Sequence, residues 1–263
     1  MILLITGSEG FIGRHVAEAA IEAGYEVDKL DRIFGEDIAD KHAYGYDAII
    51  NCAGVAGVRR SFYEPAEYWR ENSYAAAVLF QDARRCGVPV VHASTSLASY
   101  PEHSPYAASK AAAEQQVLFE NRLGANISIV RIYNVYGPGQ PEPWLVPTFM
   151  RSAREERPFC LENGGNQLAD YIYVTDVAQA LLAAMDMNVG IHHAGSGNFA
   201  SPRDIAEIIA NLAGIEPVYE DAIAPLRQSI PVSPDLASWG DWWETRVSLK
   251  EGLDKTWWLT SGR

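Results

Sequence analysis

The chain opens on an unbroken apolar run of strand length, residues 1–6 (MILLIT), which stops at a glycine-rich turn. Beyond the turn Val16, Ala19, Ala20 and Ala23 recur at helical spacing up to Gly24, and residues 25–30 form a second run. The rhythm returns in residues 47–54, 88–93 and 127–132, separated by helical stretches over 65–86 and 104–124. Apolar runs without polar alternation predict strands covered on both faces, and their alternation with helices predicts a parallel sheet wrapped by helices. The fold class is therefore α/β. The carboxyl third is less regular. Residues 144–157 read as a helix after a proline-rich loop, residues 176–185 as another, and Ser201 as the N-cap of a helix with Pro202 at its first position, running to Leu212.

Ligands of such sheets gather at the carboxyl ends of the strands. Residues 7–13, Ala53-Gly54, residues 94–96 and Tyr133-Asn134 all fall at such ends and converge on one crevice. The first of them, Gly7-Ser8-Glu9-Gly10-Phe11-Ile12-Gly13, turns a strand into a helix. Backbone N–H groups and the helix dipole can then meet a pyrophosphate. The second strand ends in Asp31, near the distance expected of an acid that grips an adenosine ribose diol. This is the pattern of a Rossmann-type doubly wound sheet that binds a dinucleotide. A carboxylate there repels a 2′-phosphate and favours NAD over NADP, whereas Arg32 next to it offers a phosphate partner and keeps NADP open.

Tyr106 and Lys110 lie four residues apart on the helix that follows Ser94-Thr95-Ser96. Positions i and i+4 share one helix face, so phenol and ammonium can look into the same cleft. A phenol beside a fixed cation is expected to have a lowered pKa and to serve as an acid/base near neutral pH.

Composition narrows the partners. The 263 residues exceed one average domain without a linker or repeat, which predicts two lobes, and 48% hydrophobic residues are ample for a core. A net charge of −13 argues against a nucleic acid or an anionic membrane as partner. The first apolar run is too short for a membrane span or a secretory segment. Cys52, Cys86 and Cys160 are far apart without metal-ligand spacing and read as reduced thiols of a cytoplasmic protein. His192-His193 lies on a strand, where neighbours point to opposite faces; one buried and one exposed histidine is expected, and no metal site. Trp239, Trp242, Trp243, Trp257 and Trp258 crowd the end of the chain, where they either stack on a base or sugar or pack a loop-rich lobe.

Seven spaced motifs extend the pattern over nearly the whole chain: Thr6-Gly7-x-x-Gly10-Phe11-Ile12-Gly13; Asp37-Ile38; Asn51-Cys52-Ala53-Gly54 with Ser61, Pro65 and Asn72; Ser94-Thr95-Ser96; Tyr106-Ala-Ala-Ser-Lys110; Arg131-Ile-Tyr-Asn-Val-Tyr-Gly-Pro138; and Asp170-Tyr-Ile-Tyr-Val-Thr-Asp176. In these the chain resembles the extended short-chain dehydrogenase/reductase superfamily, and within it the NAD-dependent epimerase/dehydratase group, the UDP-glucose 4-epimerase-like nucleotide-sugar epimerases. The resemblance implies a nicotinamide-binding lobe of residues 1–134 and 176–200 and a small, partly discontinuous substrate lobe of residues 135–175 and 201–263. It implies that Tyr106 exchanges a proton with a sugar hydroxyl while hydride passes to the nicotinamide, that Lys110 holds the nicotinamide ribose, and that Ser96 hydrogen-bonds the reacting oxygen. Gly7, Gly10, Phe11, Ile12, Gly13, Asp31, Arg32, Asp37, Ile38, Ala53, Gly54 and Tyr133 would line the NAD site, with Asn72 and Ser94 as its scaffold. Arg59, Asn134 and Arg227 would join Ser96 and Tyr106 around a nucleotide sugar. A homodimer is implied, paired through the helix before Cys86 and the one carrying Tyr106, where Ala75 to Ala77 and Ala111 to Ala113 let helices approach closely.

Departures from the family pattern carry information too. Dehydratases of the group place Asp-Glu directly after the catalytic hydroxyl, whereas here Leu97-Ala98 follows Ser96. The arginine usual before Asp170 is replaced by Leu168-Ala169, which leaves Arg227, helped by Arg59, to hold a diphosphate. The stretch from Asp31 to Asp37 has no room for the usual helix and only a vestigial strand, and almost no loop separates Tyr100 from Tyr106. That trimming also resembles 4-keto-sugar reductases using NAD(P)H, so net ketoreduction stands beside epimerisation. A non-catalytic NAD-binding protein is the third reading.

Overall fold

The computed structural model describes residues 1–222 and 243–260, which fall into two compact units: Met1–Tyr133 with Val177–Ala194, and Asn134–Asp176 with 195–222 and 244–260. In chain order the elements are β1 (Ile2–Thr6), α1 (Phe11–Glu22), β2 (Glu26–Leu30), β3 (Ala48–Asn51), α2 (Val58–Ser61), α3 (Pro65–Tyr68), α4 (Ala75–Cys86), β4 (Val90–Thr95), α5 (Pro105–Arg122) and β5 (Ile127–Ile132). The chain continues through β6 (Asn134–Tyr136), α6 (Leu145–Arg154), β7 (Phe159–Leu161), β8 (Ala169–Tyr173), α7 (Val174–Ala183), β9 (Ile191–Ala194), β10 (Phe199–Ala200), α8 (Pro202–Ala213), β11 (Tyr219–Asp221) and α9 (Leu249–Leu259).

In the first unit six strands pair in the order β2-β1-β3-β4-β5-β9, all of them parallel. The expected Rossmann-type sheet is present. The chain adds β2 on one side of β1 and all later strands on the other, which opens a crevice at the carboxyl ends beside β1. The continuous apolar runs do what their pattern predicts: β4 is buried at all six positions. Leu4, Ile49, Val90, Ile127 and Ile129 pack against Leu79 and Phe80 of α4 and Ala113 and Val117 of α5. The helical stretch 65–86 is interrupted by a π-helical turn, Trp69–Tyr74, between α3 and α4. Such turns insert an extra residue and re-aim side chains.

The shortened segment after β2 differs from expectation, because no vestigial strand forms in residues 31–47. The Asp31 carboxylate accepts the Ile33 N–H and opens a 3₁₀ turn, Arg32–Phe34, which Gly35 ends in the left-handed conformation. Asp37 accepts the Ala39 N–H at 2.9 Å, and Ile38 and Ala43 plug into the core beside Leu30. Local hydrogen bonding by two aspartates thus wins over strand pairing, and β2 remains the edge of the sheet.

The second unit holds a three-stranded sheet, β10-β8-β6, and a two-stranded one, β11-β7. Phe149, Phe159, Ile205, Ile209 and Leu253 form its core with Tyr136 and Tyr173. Helix α8 starts at the expected Ser201–Pro202, completed by a reciprocal bond with Asp204. Trp257 packs under the Arg154 guanidinium, 4.7 Å from its centre, and Trp258 is exposed. Trp239 and Trp242 lie outside the described residues.

Candidate active site

The residues converging at the carboxyl ends of the first unit's sheet begin with the turn after β1. Helix α1 starts at Gly10 without a side-chain cap and without an acidic residue in its first turn, which carries Phe11 and Ile12. Uncapped N–H groups at a helix start attract an anion. A Cβ on Gly13 would lie 2.0 Å from the Gly7 carbonyl oxygen, so only glycine lets the helix seat against the turn. In the same turn the Ser8 hydroxyl is buried without a partner. Uncapped donors, a cradle closed to side chains and an orphaned hydroxyl fit the pyrophosphate of a dinucleotide.

Asp31, at the end of β2, accepts the Glu9 N–H at 3.0 Å and the Ile33 N–H at 3.2 Å, one on each oxygen. Each oxygen keeps a second lone pair, so the carboxylate is fixed in place with capacity for a ribose diol. Arg32 is ion-paired with the buried Glu71 and lies 3.9 Å from Asp37. The Ile38 side chain belongs to the core.

At the end of β3, Ala53 N–H donates to the Thr6 hydroxyl at 3.3 Å, tying this loop to β1. Asn72, buried in the π-helical turn, clamps the next residues: its Oδ1 accepts the Val55 N–H at 2.7 Å, and its Nδ2 donates to the Val55 carbonyl and the Ser109 hydroxyl, both at 3.0 Å. Gly54 has φ +151°, and a Cβ there would stand 2.7 Å from Asn72 Oδ1. These bonds tie the loop after β3 to the π-helical turn and to α5.

Helix α5 carries Tyr106 and Lys110. Ser104 caps it by accepting the Ala107 N–H, and Pro105 sits at its first position. Lys110 is only 8% exposed, and its Nζ donates to the Ala93 carbonyl at 2.8 Å. Burial pulls its pKa down to about 8. The Tyr106 phenol lies beside the Thr95 hydroxyl, and its ring stands edge-on to Tyr68 with centroids 6.1 Å apart. Burial pushes the phenol up to about 12, which corrects the lowered value expected from the i, i+4 spacing. The ammonium is directed at Ala93, and desolvation of the phenolate dominates.

Thr95, which the sequence reading did not single out, lies beside the Tyr106 phenol. Strand β4 ends at Thr95, whose hydroxyl accepts the Leu97 N–H and so opens the 3₁₀ turn Ser96–Ser99. Ser96 is buried at the start of that turn. Ser94 donates to Glu114 at 2.5 Å, and Arg131 grips the same carboxylate through Nε at 3.0 Å and Nη2 at 2.6 Å. This buried network joins β4, α5 and β5 and makes Ser94 part of the framework. Tyr133 is buried, with its hydroxyl 3.1 Å from His193 Nδ1, while His192 Nε2 lies 3.0 Å from the Asn188 carbonyl. Both histidines are half-buried, contrary to the expected alternation, because β9 is the edge strand and each ring finds its own local partner.

Three further residues were expected on the substrate side. Arg59 is exposed on α2. Asn134 opens β6 in the second unit, exposed, and donates to the Asp170 carbonyl at 2.9 Å. Arg227 lies outside the described residues.

The six-stranded parallel sheet, the glycine turn and the helix with Tyr106 and Lys110 define a Rossmann-type protein of the short-chain dehydrogenase/reductase kind. The chain belongs to the NAD dependent epimerase/dehydratase family, whose model matches residues 3–198. It is similar to the UDP-glucose 4-epimerase of Thermus thermophilus, solved in complex with NAD, with a TM-score of 0.87, 29% identity and coverage of 100% of this chain and 99% of that one. The UDP-glucose 4-epimerase of Thermotoga maritima, solved with UDP-glucose, superposes with a TM-score of 0.86 at 27% identity, covering 98% of this chain and 98% of that one. A putative UDP-glucose 4-epimerase of Methanocaldococcus jannaschii is 27% identical over 97% of this chain and 96% of its own.

Proposed function

We propose that this protein is an NAD-dependent nucleotide-sugar epimerase that oxidises a sugar hydroxyl at C4 and reduces the ketone on its other face. The observation that carries this reading is the placement of Tyr106 beside the Thr95 hydroxyl and one helical turn from Lys110, with Leu97 and Ala98 where a dehydratase carries its acid and base. Bound NAD supplies a hydride acceptor that becomes the donor in the return half. Tyr106 takes the hydroxyl proton as the carbon is oxidised and returns it on reduction, so the phenol ends unchanged. Ionising a buried phenol needs a positive charge nearby, and Lys110, protonated below about 8, is the chain's own source. In this reading the Ser96 hydroxyl, with Thr95 beside it, hydrogen-bonds the reacting oxygen. Asp31 binds the adenosine ribose, the uncapped start of α1 the pyrophosphate, and Asn134, Arg59 and Arg227 the nucleotide sugar.

The short segment 31–47, reduced to a 3₁₀ turn and a core plug, favours a second reading, reduction of a nucleotide 4-keto sugar with consumed NAD(P)H. Turnover separates the two. An epimerase interconverts a pair of nucleotide hexoses with catalytic NAD and no steady-state change in nicotinamide absorbance. A reductase consumes one NADH per product, and a cofactor that stays unreacted with every nucleotide sugar identifies a non-catalytic protein.

The homodimer belongs to the same proposal. Trp69 and Tyr74 are exposed and line one surface with Ala77 of α4 and Ala112 and Gln116 of α5. A second copy is the proposed occupant of that face, and light scattering of the purified protein checks it. Among the described residues no helix is long and apolar enough to cross a membrane, and a cytoplasmic location is proposed with the three unpaired cysteines.

A further inference from the structure

Glu71 is a carboxylate buried to 4% exposure in the π-helical turn, and nothing in the proposed chemistry uses it. Burying a carboxylate is costly unless it is paired. Its partners are two arginines whose own chains are about half exposed or more: Arg70, whose Nε donates to Oε1 at 2.6 Å, and Arg32, whose Nη2 meets Oε2. Arg32 directly follows Asp31 and also has Asp37 3.9 Å from its Nε. The cation nearest in sequence to the ribose carboxylate is therefore held between two carboxylates contributed by segments that the chain brings together only by folding.

An arginine at the end of this strand is chemically suited to an adenosine 2′-phosphate, because its fork of donors matches phosphate geometry. Here the fork is already engaged and its charge compensated. To receive a phosphate, Arg32 would have to leave Glu71 and strand a buried carboxylate with one fewer partner. We propose that Glu71 is a specificity-determining residue: by holding Arg32 in an ion pair it withholds the guanidinium from a 2′-phosphate, and it thereby reinforces the choice of NAD over NADP that Asp31 begins. The proposal rests on the reading that the turn after β1 binds a nicotinamide dinucleotide.

The test compares dissociation constants of the full-length protein for NAD and NADP, measured by titration calorimetry, for wild type, Glu71→Gln, Arg32→Ala and the double variant. Glutamine keeps the size of the buried side chain and removes its charge. Glu71→Gln is expected to tighten NADP about tenfold relative to NAD, the scale of one charged hydrogen bond, and Arg32→Ala in the same chain to abolish the gain. Arg32→Ala alone, which leaves Glu71 paired with Arg70, is expected to leave NADP affinity within about threefold of wild type, since the guanidinium is already engaged. An unchanged NAD to NADP ratio in Glu71→Gln, a gain that survives in the double variant, or a selective loss of NADP binding in Arg32→Ala alone would each overturn the proposal. A wild type that prefers NADP overturns it too while leaving dinucleotide binding intact, whereas binding of neither dinucleotide removes both readings together.

Discussion

The first unit is closed by a sheet six strands wide, its strands four to six residues long, with Leu3, Leu4, Ile5, Ile49 and Ile50 fully buried. The second unit has strands of two to five residues, too short to close by strand pairing alone, and it is strapped by carboxylates. Asp170 accepts the Ser196 N–H and hydroxyl, both at 2.8 Å, and the Gly197 N–H at 3.0 Å. Asp176 accepts the Thr245 hydroxyl at 2.6 Å and the Arg246 and Val247 N–H groups at 3.0 and 2.9 Å. Each aspartate gathers three donors from a loop distant in sequence. In the first unit a comparable buried network, Ser94, Glu114 and Arg131, joins elements that the apolar sheet already holds.

The contrast is broken most sharply at Tyr106. Tyr106→Phe keeps the ring against Tyr68 and loses only the hydroxyl, so folding and dinucleotide affinity should survive. Turnover should fall by about 100- to 10,000-fold, the range for a general acid/base. An assay retaining more than a tenth of wild-type activity would remove the tyrosine from the mechanism. In the second unit the corresponding loss should appear in stability. Asp176→Ala takes away three hydrogen bonds to one charged group and is expected to cost about 3 kcal/mol, read from the urea midpoint. A midpoint that does not move would mean that the strap at residues 245–247 holds nothing.

How far all this could be read from the chain depends on the range of the interactions. Strand runs, the glycine turn, Ser201 with Pro202 and the shared face of Tyr106 and Lys110 are local patterns, and each lies where its period puts it. The π-helical turn leaves no mark in hydrophobic spacing, because its side chains remain on a nearly continuous helix. Between Asp31 and Asp37 the comparison with the family pattern left room for a vestigial strand, yet the two aspartates satisfy the backbone locally. The rise in the Tyr106 pKa depends on burial and on where Lys110 points, neither of which spacing alone reveals. Glu71 with Arg32, and Asp176 with Thr245, are pairs far apart in sequence that only the folded backbone brings together.

Buried charge in the two units should also answer pH with opposite sign. Burial lowers Lys110 from 10.5 to about 8, so the folded protein binds fewer protons than the unfolded chain between those values. Its contribution to stability is present above 10.5 and is lost as pH falls through about 8. The stability of Lys110→Met relative to wild type should therefore shrink by up to about 3 kcal/mol as pH is raised across this window. Asp170 is raised above 3.8 because burial outweighs its three hydrogen bonds. Stability from that group is present at low pH and lost as pH rises through the raised value, so Asp170→Asn should gain on wild type as pH rises from 3.8. Denaturant titrations at a series of pH values check both signs, and slopes of the same sign would defeat the comparison.

The smallest expected effect tests whether the second unit's polar contacts act singly or as a set. Ser201 caps α8 by accepting the Asp204 N–H at 3.1 Å, while the Asp204 carboxylate accepts the Ser201 N–H and hydroxyl, both at 2.7 Å. Ser201→Ala removes the hydroxyl and leaves the backbone donor in place, so Asp204 keeps one of its two bonds from this residue. A cost of about 1 kcal/mol is expected, the usual worth of an N-cap. In an Asp176→Ala background the same substitution should cost the same amount if the cap and the strap are independent. A cost that at least doubles there would show that the two polar sites share one cooperative structure. The second unit would then lose its loops and its helix start together, where the first unit's apolar sheet can lose a hydroxyl at its crevice and stay folded.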